Sequence, residues 1–266
     1  MTIILDQDIQ RARQPLKKLP NVITSFSWHG WELYGRQFIE SWKQYWSPSI
    51  RLTVYYEGPE FEDFQFPEGV SWRPIEEVEF LTDFMGSLKF PLMSGIVGDK
   101  YDIRWDARMA RKTFMQAHTA RKYGGKVFWI DADSETVKHV PERFLDDCLP
   151  DDALCCYLGR DGWYHTESGF IGFNAEHPLA KRFFKNYVHV FLVGSIFTQP
   201  GWHDCYAFDA VRHVMGNGPE FVNLAKDVPH GHMHPLQISA PGKYLNHYKG
   251  ARKETRQLKA EDVRHV

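Results

Sequence analysis

The chain has 266 residues, 43% of them hydrophobic, enough to bury a core of ordinary size, and it reads as one globular domain over residues 1–266. Its 32 Lys and Arg stand against 34 Asp and Glu, so it lacks the bulk positive charge that holds a protein on a polyanion, and charge gives no indication of nucleic acid binding. Met1 to Pro20 lacks the apolar block of a signal peptide and no stretch approaches the ~20 apolar residues of a membrane span, so a cytoplasmic protein with no membrane span is expected.

In chain order, Asn21 to Ser27 is a short apolar run with β-branched residues that ends in small polar ones, as a buried parallel strand ends at a ligand loop. From Gly30 to Tyr45 the aromatics Trp31, Tyr34, Phe38, Trp42 and Tyr45 recur at helical spacing. Arg51 to Glu57 is a second strand, which completes a strand, helix, strand unit of a parallel sheet. Neither GxGxxG nor a P-loop is present, so dinucleotide and NTPase sites are unsupported. Residues 58–100 show little periodicity and are expected to be irregular, with one short strand near Val70 to Arg73.

A long helix is expected from Arg104 to Tyr123, closed by Gly124 and Gly125, followed by the near-continuous apolar strand Lys126 to Asp131. Beyond it come a short helix over Pro141 to Asp147, strands over Ala153 to Leu158 and Gly169 to Asn174, and helices over Pro178 to Leu192 and Asp204 to Met215. Short strands and loops then run from Phe221 to His247. The fold class is therefore α/β, with a mixed, mainly parallel sheet flanked by helices. The four cysteines at 148, 155, 156 and 205 include no CxxC and are read as reduced packing residues. The basic tail from Lys249 to Lys259 reads as a solvated face.

The chemistry concentrates at the end of the apolar strand, in Val127-Phe-Trp-Ile-Asp131-Ala132-Asp133-Ser134. Carboxylates at i and i+2 across a bend can share one hard divalent cation and leave positions open for phosphate oxygens. Such a cation needs further ligands from elsewhere in the chain, and His247 within Leu245-Asn-His247-Tyr-Lys-Gly250-Ala-Arg-Lys253 is the candidate. A competing reading uses the cluster His230, His232 and His234 as the metal site of a hydrolase, although no acidic base stands at metalloprotease spacing and the aspartates then go unused.

The DxD at a strand end and the HxxGxxK of His247, Gly250 and Lys253 resemble, in this order, the GT-A fold (Rossmann-like) glycosyltransferases of the glycogenin and lipooligosaccharide galactosyltransferase group. The resemblance implies a nucleotide-binding half over about 20–135 and an acceptor half over about 136–266. It implies Mn2+ or Mg2+ on Asp131, Asp133 and His247, with Asp131 also touching the donor, Gly250 closing on a diphosphate and Lys253 binding its oxygens. A Pro-Trp pair usual in that group after the lysine is replaced here by Glu254-Thr255.

Glu167-Ser-Gly169-Phe-Ile-Gly-Phe-Asn174 resembles the sugar-pocket strand of these enzymes, with Glu167 where Asn or Ser usually stands, and Asp204 falls where the group places its catalytic carboxylate or amide. Asp204 could equally cap the helix it begins. Thr24, Phe26 and Ser27 are candidates for nucleotide contact, and Arg108 and Lys112 for stabilising leaving-group charge beside Lys253. The activity implied is transfer of a sugar from a nucleotide diphosphate sugar, UDP favoured, to an acceptor hydroxyl with retention of configuration. Inversion with Asp204 as base, and a domain that binds nucleotide sugar or glycan without turnover, stay open. The acceptor could be a saccharide, a glycoconjugate, a protein or a modified nucleic-acid base. Nucleotidyl transfer is disfavoured, because Ser-Phe-Ser-Trp-His follows the first strand in place of a Gly-rich loop.

Overall fold

A computed structural model of the protein describes residues 18–87, 103–160, 165–226 and 234–248. Strand β1 (Asn21–Ser27) runs into a continuous helix α1, built of Trp28–Gly30, a π turn over Trp31–Gly35 and Arg36–Tyr45. The Ser27 hydroxyl accepts the Gly30 amide proton and starts that helix. Then follow β2 (Arg51–Glu57), β3 (Ser71–Pro74), α2 (Leu81–Ser87), the long α3 (Ile103–Tyr123), β4 (Lys126–Ile130) and β5 (Ser134–Thr136). The rest comprises α4 (Phe144–Cys148), β6 (Cys155–Leu158), β7 (Glu167–Asn174), α5 (Ala180–Leu192), α6 (Asp204–Val214), β8 (Phe221–Asn223), α7 (Pro235–Ile238) and β9 (Leu245–His247).

Seven strands form one sheet in the order β3-β2-β1-β4-β7-β6-β8, parallel throughout except for β7, which is antiparallel to both its neighbours. The mixed, mainly parallel α/β architecture expected from the sequence is the one observed. The chain moves outward from β1 to β2 and β3, then returns through α3 to lay β4 on the other side of β1. This reversal opens a crevice beyond the carboxyl ends of β1 and β4, where open α/β sheets bind ligands. Gly124 and Gly125, at φ 63° and 71°, supply the left-handed turn that ends α3 and aims the chain into β4.

Strand periodicity sorts the core into two layers. Ile23, Val127 and Trp129 pack with Phe114, Phe183 and Phe208 on one face, while Val22 and Phe128 pack with Phe38, Trp42 and Phe144 on the other. All four cysteines are free and buried, and burial pushes the Cys148 thiol up to about 12. Among the described residues no helix is long and apolar enough to cross a membrane.

The structure redraws several boundaries. The stretch expected to be irregular carries its one expected strand, β3 at Ser71–Pro74, and also helix α2, which alone of the two the sequence reading missed; its residues 88–100 lie outside the described residues. Strand β7 begins at Glu167, two residues before the expected Gly169, because Glu167 still pairs with Leu158 of β6. A separate two-stranded ribbon joins β5 to β9, with Ser134 opposite His247 and Thr136 opposite Leu245. Helix α1 anchors it: the Trp46 indole donates to the Thr136 hydroxyl (2.9 Å), the Gln37 amide to Glu135 (2.9 Å), and the Thr136 amide to the Ser41 hydroxyl (3.2 Å).

At Gly172 in β7 the neighbouring layers close completely: a Cβ there would lie 2.4 Å from the Phe128 ring and 2.9 Å from the Cys156 sulfur. Phe128 is itself fully buried and has no space to turn into. Gly172→Ala is therefore expected to cost about 2 kcal/mol by overpacking, measured as a lower urea midpoint at unchanged slope; an unchanged midpoint would mean that this layer yields.

Candidate functional site

Strand β4 delivers Asp131 to the crevice, and the Asp131 amide donates to the Gly169 carbonyl of β7 (2.9 Å) as the strand ends. The chain turns at once, with the Ser134 amide donating to the Asp131 carbonyl (3.0 Å), so both aspartates sit on one bend. The β5–β9 ribbon then lays His247 beside them, and the Tyr248 amide donates to the Asp133 carbonyl (3.0 Å). His247 Nε2 lies 2.9 Å from Asp133 Oδ1 and 3.6 Å from Asp131 Oδ2. An octahedral ion with bonds near 2.1 Å holds adjacent ligand atoms about 3.0 Å apart, so these three residues fit a divalent cation. Their ligand atoms all fall within 4.8 Å of one another.

The other Asp131 oxygen is already committed. It accepts from the Trp129 indole and lies 2.8 Å from Lys112 Nζ. Lys112 comes from α3 and is buried; its ammonium also donates to the Ser168 carbonyl (3.0 Å) and stands 3.4 Å from Asp204 Oδ2. Burial alone would lower its pKa, but the nearby charges of Asp131 and Asp204 outweigh that and hold it well above the ordinary lysine range. Asp204 is 3% exposed and is the first residue of α6, whose N-cap is His203. Its carboxylate faces Lys112 across the cleft.

Glu167, on the first position of β7, is equally committed. Its Oε2 accepts from Arg160 (2.6 Å) and stands 2.9 Å from His234 Nε2, while Oε1 accepts the Gly169 amide (3.0 Å). His234 caps α7, its Nδ1 accepting from Leu236 (3.3 Å). The His165 ring packs against Tyr206 at a tilt of 34°, centroids 4.6 Å apart, and burial, reinforced by Arg160, lowers its pKa and keeps the ring neutral at neutral pH.

Apart from His234 and Tyr206, these groups line one cleft of about 650 Å³, a volume suited to a small ligand. Among the described residues that line it, five carboxylates (Glu57, Asp131, Asp133, Glu167 and Asp204) face three permanent cations (Arg111, Lys112 and Arg160), an excess of two negative charges that one divalent ion would neutralise. Ser25, Phe26 and Ser27 line it at the end of β1. Thr24, expected with them, is fully buried and does not line the cleft, because it sits one step deeper in a strand covered on both faces. The Arg108 side chain, Gly250, Lys253, His230 and His232 lie outside the described residues.

Arg160, Arg111, Trp129 and Ser168 were not singled out from the sequence. Trp129 had a signal in hindsight, two positions before Asp131 on the same side of a strand. Arg160 had none.

The sheet reversal places the acidic end of β4 at a switch point, the position at which open α/β sheets bind ligands. The chain shares its fold with the bifunctional glycosyltransferase WbbM, at 14% identity and a TM-score of 0.53, over 89% of this chain and 47% of that one, so it spans about half of WbbM. Mouse xyloside xylosyltransferase 1 also aligns, at 14% identity and a TM-score of 0.47, over 77% of this chain and 85% of that one. No family model matches the chain, and no curated protein matches it in sequence.

Replacing Lys112 with Met would leave Asp131 and Asp204 without their shared counter-charge and should cost about 3 kcal/mol, read as a lower melting temperature. The folded amine titrates above its ordinary value of 10.5, so its contribution is complete below that pH and is lost as pH rises through the folded value. The melting gap between wild type and K112M should accordingly hold steady from about pH 6 to 9 and narrow in stronger alkali. A gap that widened there would contradict the pairing.

Proposed function

We propose that the chain is a metal-dependent glycosyltransferase that moves a sugar from a nucleotide diphosphate donor, UDP-linked by preference, to an acceptor hydroxyl. The observation that carries this reading is the convergence of Asp131, Asp133 and His247, from opposite parts of the chain, on one bend at the sheet's switch point. Fold likeness to a glycosyltransferase supports it. The donor half covers about residues 20–135 and the acceptor half about 136–266 of a single domain.

In this reading the two aspartates and His247 hold Mn2+ or Mg2+, which supplies Lewis-acid stabilisation of the departing diphosphate. The end of β1, at Phe26 and Ser27, receives the nucleotide. Lys112 keeps a permanent positive charge beside Asp131, where negative charge builds as the anomeric bond loosens toward an oxocarbenium ion. Arg108, Gly250 and Lys253 are assigned to the diphosphate on sequence grounds alone. Glu167, fixed by Arg160, His234 and a backbone amide, presents a preorganised carboxylate to the sugar.

The reaction proceeds with retention, the leaving phosphate accepting the acceptor proton on the same face. A second reading is favoured by one observation: Asp204 turns its carboxylate into the cleft instead of serving as the helix N-cap, which is the placement a general base needs. The anomeric configuration of the product, read by proton NMR, distinguishes the two.

The decisive measurement is calorimetric binding and hydrolysis of a panel of nucleotide sugars, with and without manganese. One donor should bind only with metal, and Asp133→Ala should weaken that binding by at least about a hundredfold. No binding of any donor with metal present would sink the reading, and metal-dependent binding without hydrolysis or transfer would leave a non-catalytic binding domain.

A further inference from the structure

We propose a second cation site, selective for zinc, formed by Glu167, His234 and His247 beside the aspartate pair. One carboxylate and two imidazoles make a His2Glu set, a donor combination that holds zinc with its fourth position left to water. The three ligand atoms lie within 4.8 Å of one another. His234 Nε2 and Glu167 Oε2 are 2.9 Å apart, and the two imidazole rings meet at 83° with centroids 5.7 Å apart. A tetrahedral zinc ion with bonds of 2.0–2.1 Å sets its ligand atoms about 3.3 Å apart, so the pair need open by only a few tenths of an ångström.

The protonation pattern shows where the ion goes. His234 Nδ1 accepts the Leu236 amide proton, so the neutral ring carries its own proton on Nε2, pointing at Glu167 Oε2. Zinc takes the place of that proton. Oε2 keeps its second lone pair for Arg160, and Oε1 keeps the Gly169 amide. The ring proton moves to Nδ1, giving up the 3.3 Å contact with Leu236.

His247 belongs to both centres. Its Nε2 faces Asp133, while its opposite edge borders Glu167: a Cβ on Gly169 would lie 3.1 Å from both His247 Nδ1 and Glu167 Oε1. An imidazole that keeps its proton has one lone pair and serves one cation at a time. Zinc, preferring imidazole, therefore withdraws His247 from the aspartates, whose carboxylates suit manganese or magnesium. Zinc is thus an inhibitor by ligand capture, a consequence that rests on the proposed metal-dependent transfer; the zinc site itself does not.

The test titrates the metal-stripped full chain by calorimetry with zinc alone and with manganese alone. Zinc affinity should fall at least about a hundredfold in both His234→Gln and Glu167→Gln, and persist in Asp133→Asn. Manganese binding should show the reverse, persisting in H234Q and failing in D133N, and zinc should displace manganese from wild type but not from H234Q. Zinc retained in H234Q and E167Q, whether or not D133N loses it, would overturn the proposal. If zinc follows the expected pattern while manganese binds no variant and not the wild type, the glycosyltransferase reading fails and the zinc site stands.

Discussion

The site hangs on a single backbone register. His247 meets the two aspartates because it pairs with Ser134 in the β5–β9 ribbon, and a slip of one residue would turn its ring to the opposite face. Two strands of three residues are not stable alone in water. The ribbon is therefore held from outside, by Trp46, Gln37 and Ser41 of the α1 segment and by the Val137 amide donating to Tyr244 (2.8 Å). Residues outside the cleft thus determine whether Asp131, Asp133 and His247 meet, and the aromatic spacing that first marks α1 in the sequence has that second consequence.

Electrostatics fixes which parts of the site are permanent and which exchange. Lys112 is a built-in cation that allows the buried Asp204 and the half-buried Asp131 to stand near one another, and its position over the Trp129 ring at 5.1 Å adds a further hold. Glu167 is tied in the same way by Arg160. The outer oxygen of Asp131, Asp133 and His247 meet on the opposite side of the bend from Lys112.

The elements read most directly from the sequence were those buried on both faces. β1 and β4 are near-continuous apolar runs, so their carboxyl ends, and with them Asp131 and Asp133, could be placed without structure. Glu167 concealed the start of β7, because a carboxylate on a strand breaks the apolar pattern unless its partners are known. Those partners, Arg160 and His234, are seven and 67 residues away and follow no period. Helix α2 was missed because its seven residues are too few to show a face. Asp204 read equally well as a cap or as a site residue; only the position of His203 as N-cap and the proximity of Lys112 separate the two.

The β5–β9 pairing also has a consequence in time. β9 is made after every other described strand, and its partner β5 is separated from it by more than a hundred residues of chain. Contacts of such separation close late, after local pairings such as β1 with β2 have formed. A chain emerging from the ribosome can build most of its sheet around Asp131 and Asp133 well before His247 arrives. During that interval it holds two carboxylates and no imidazole at the bend, so Asp131, Asp133 and His247 come together only once β9 has been made.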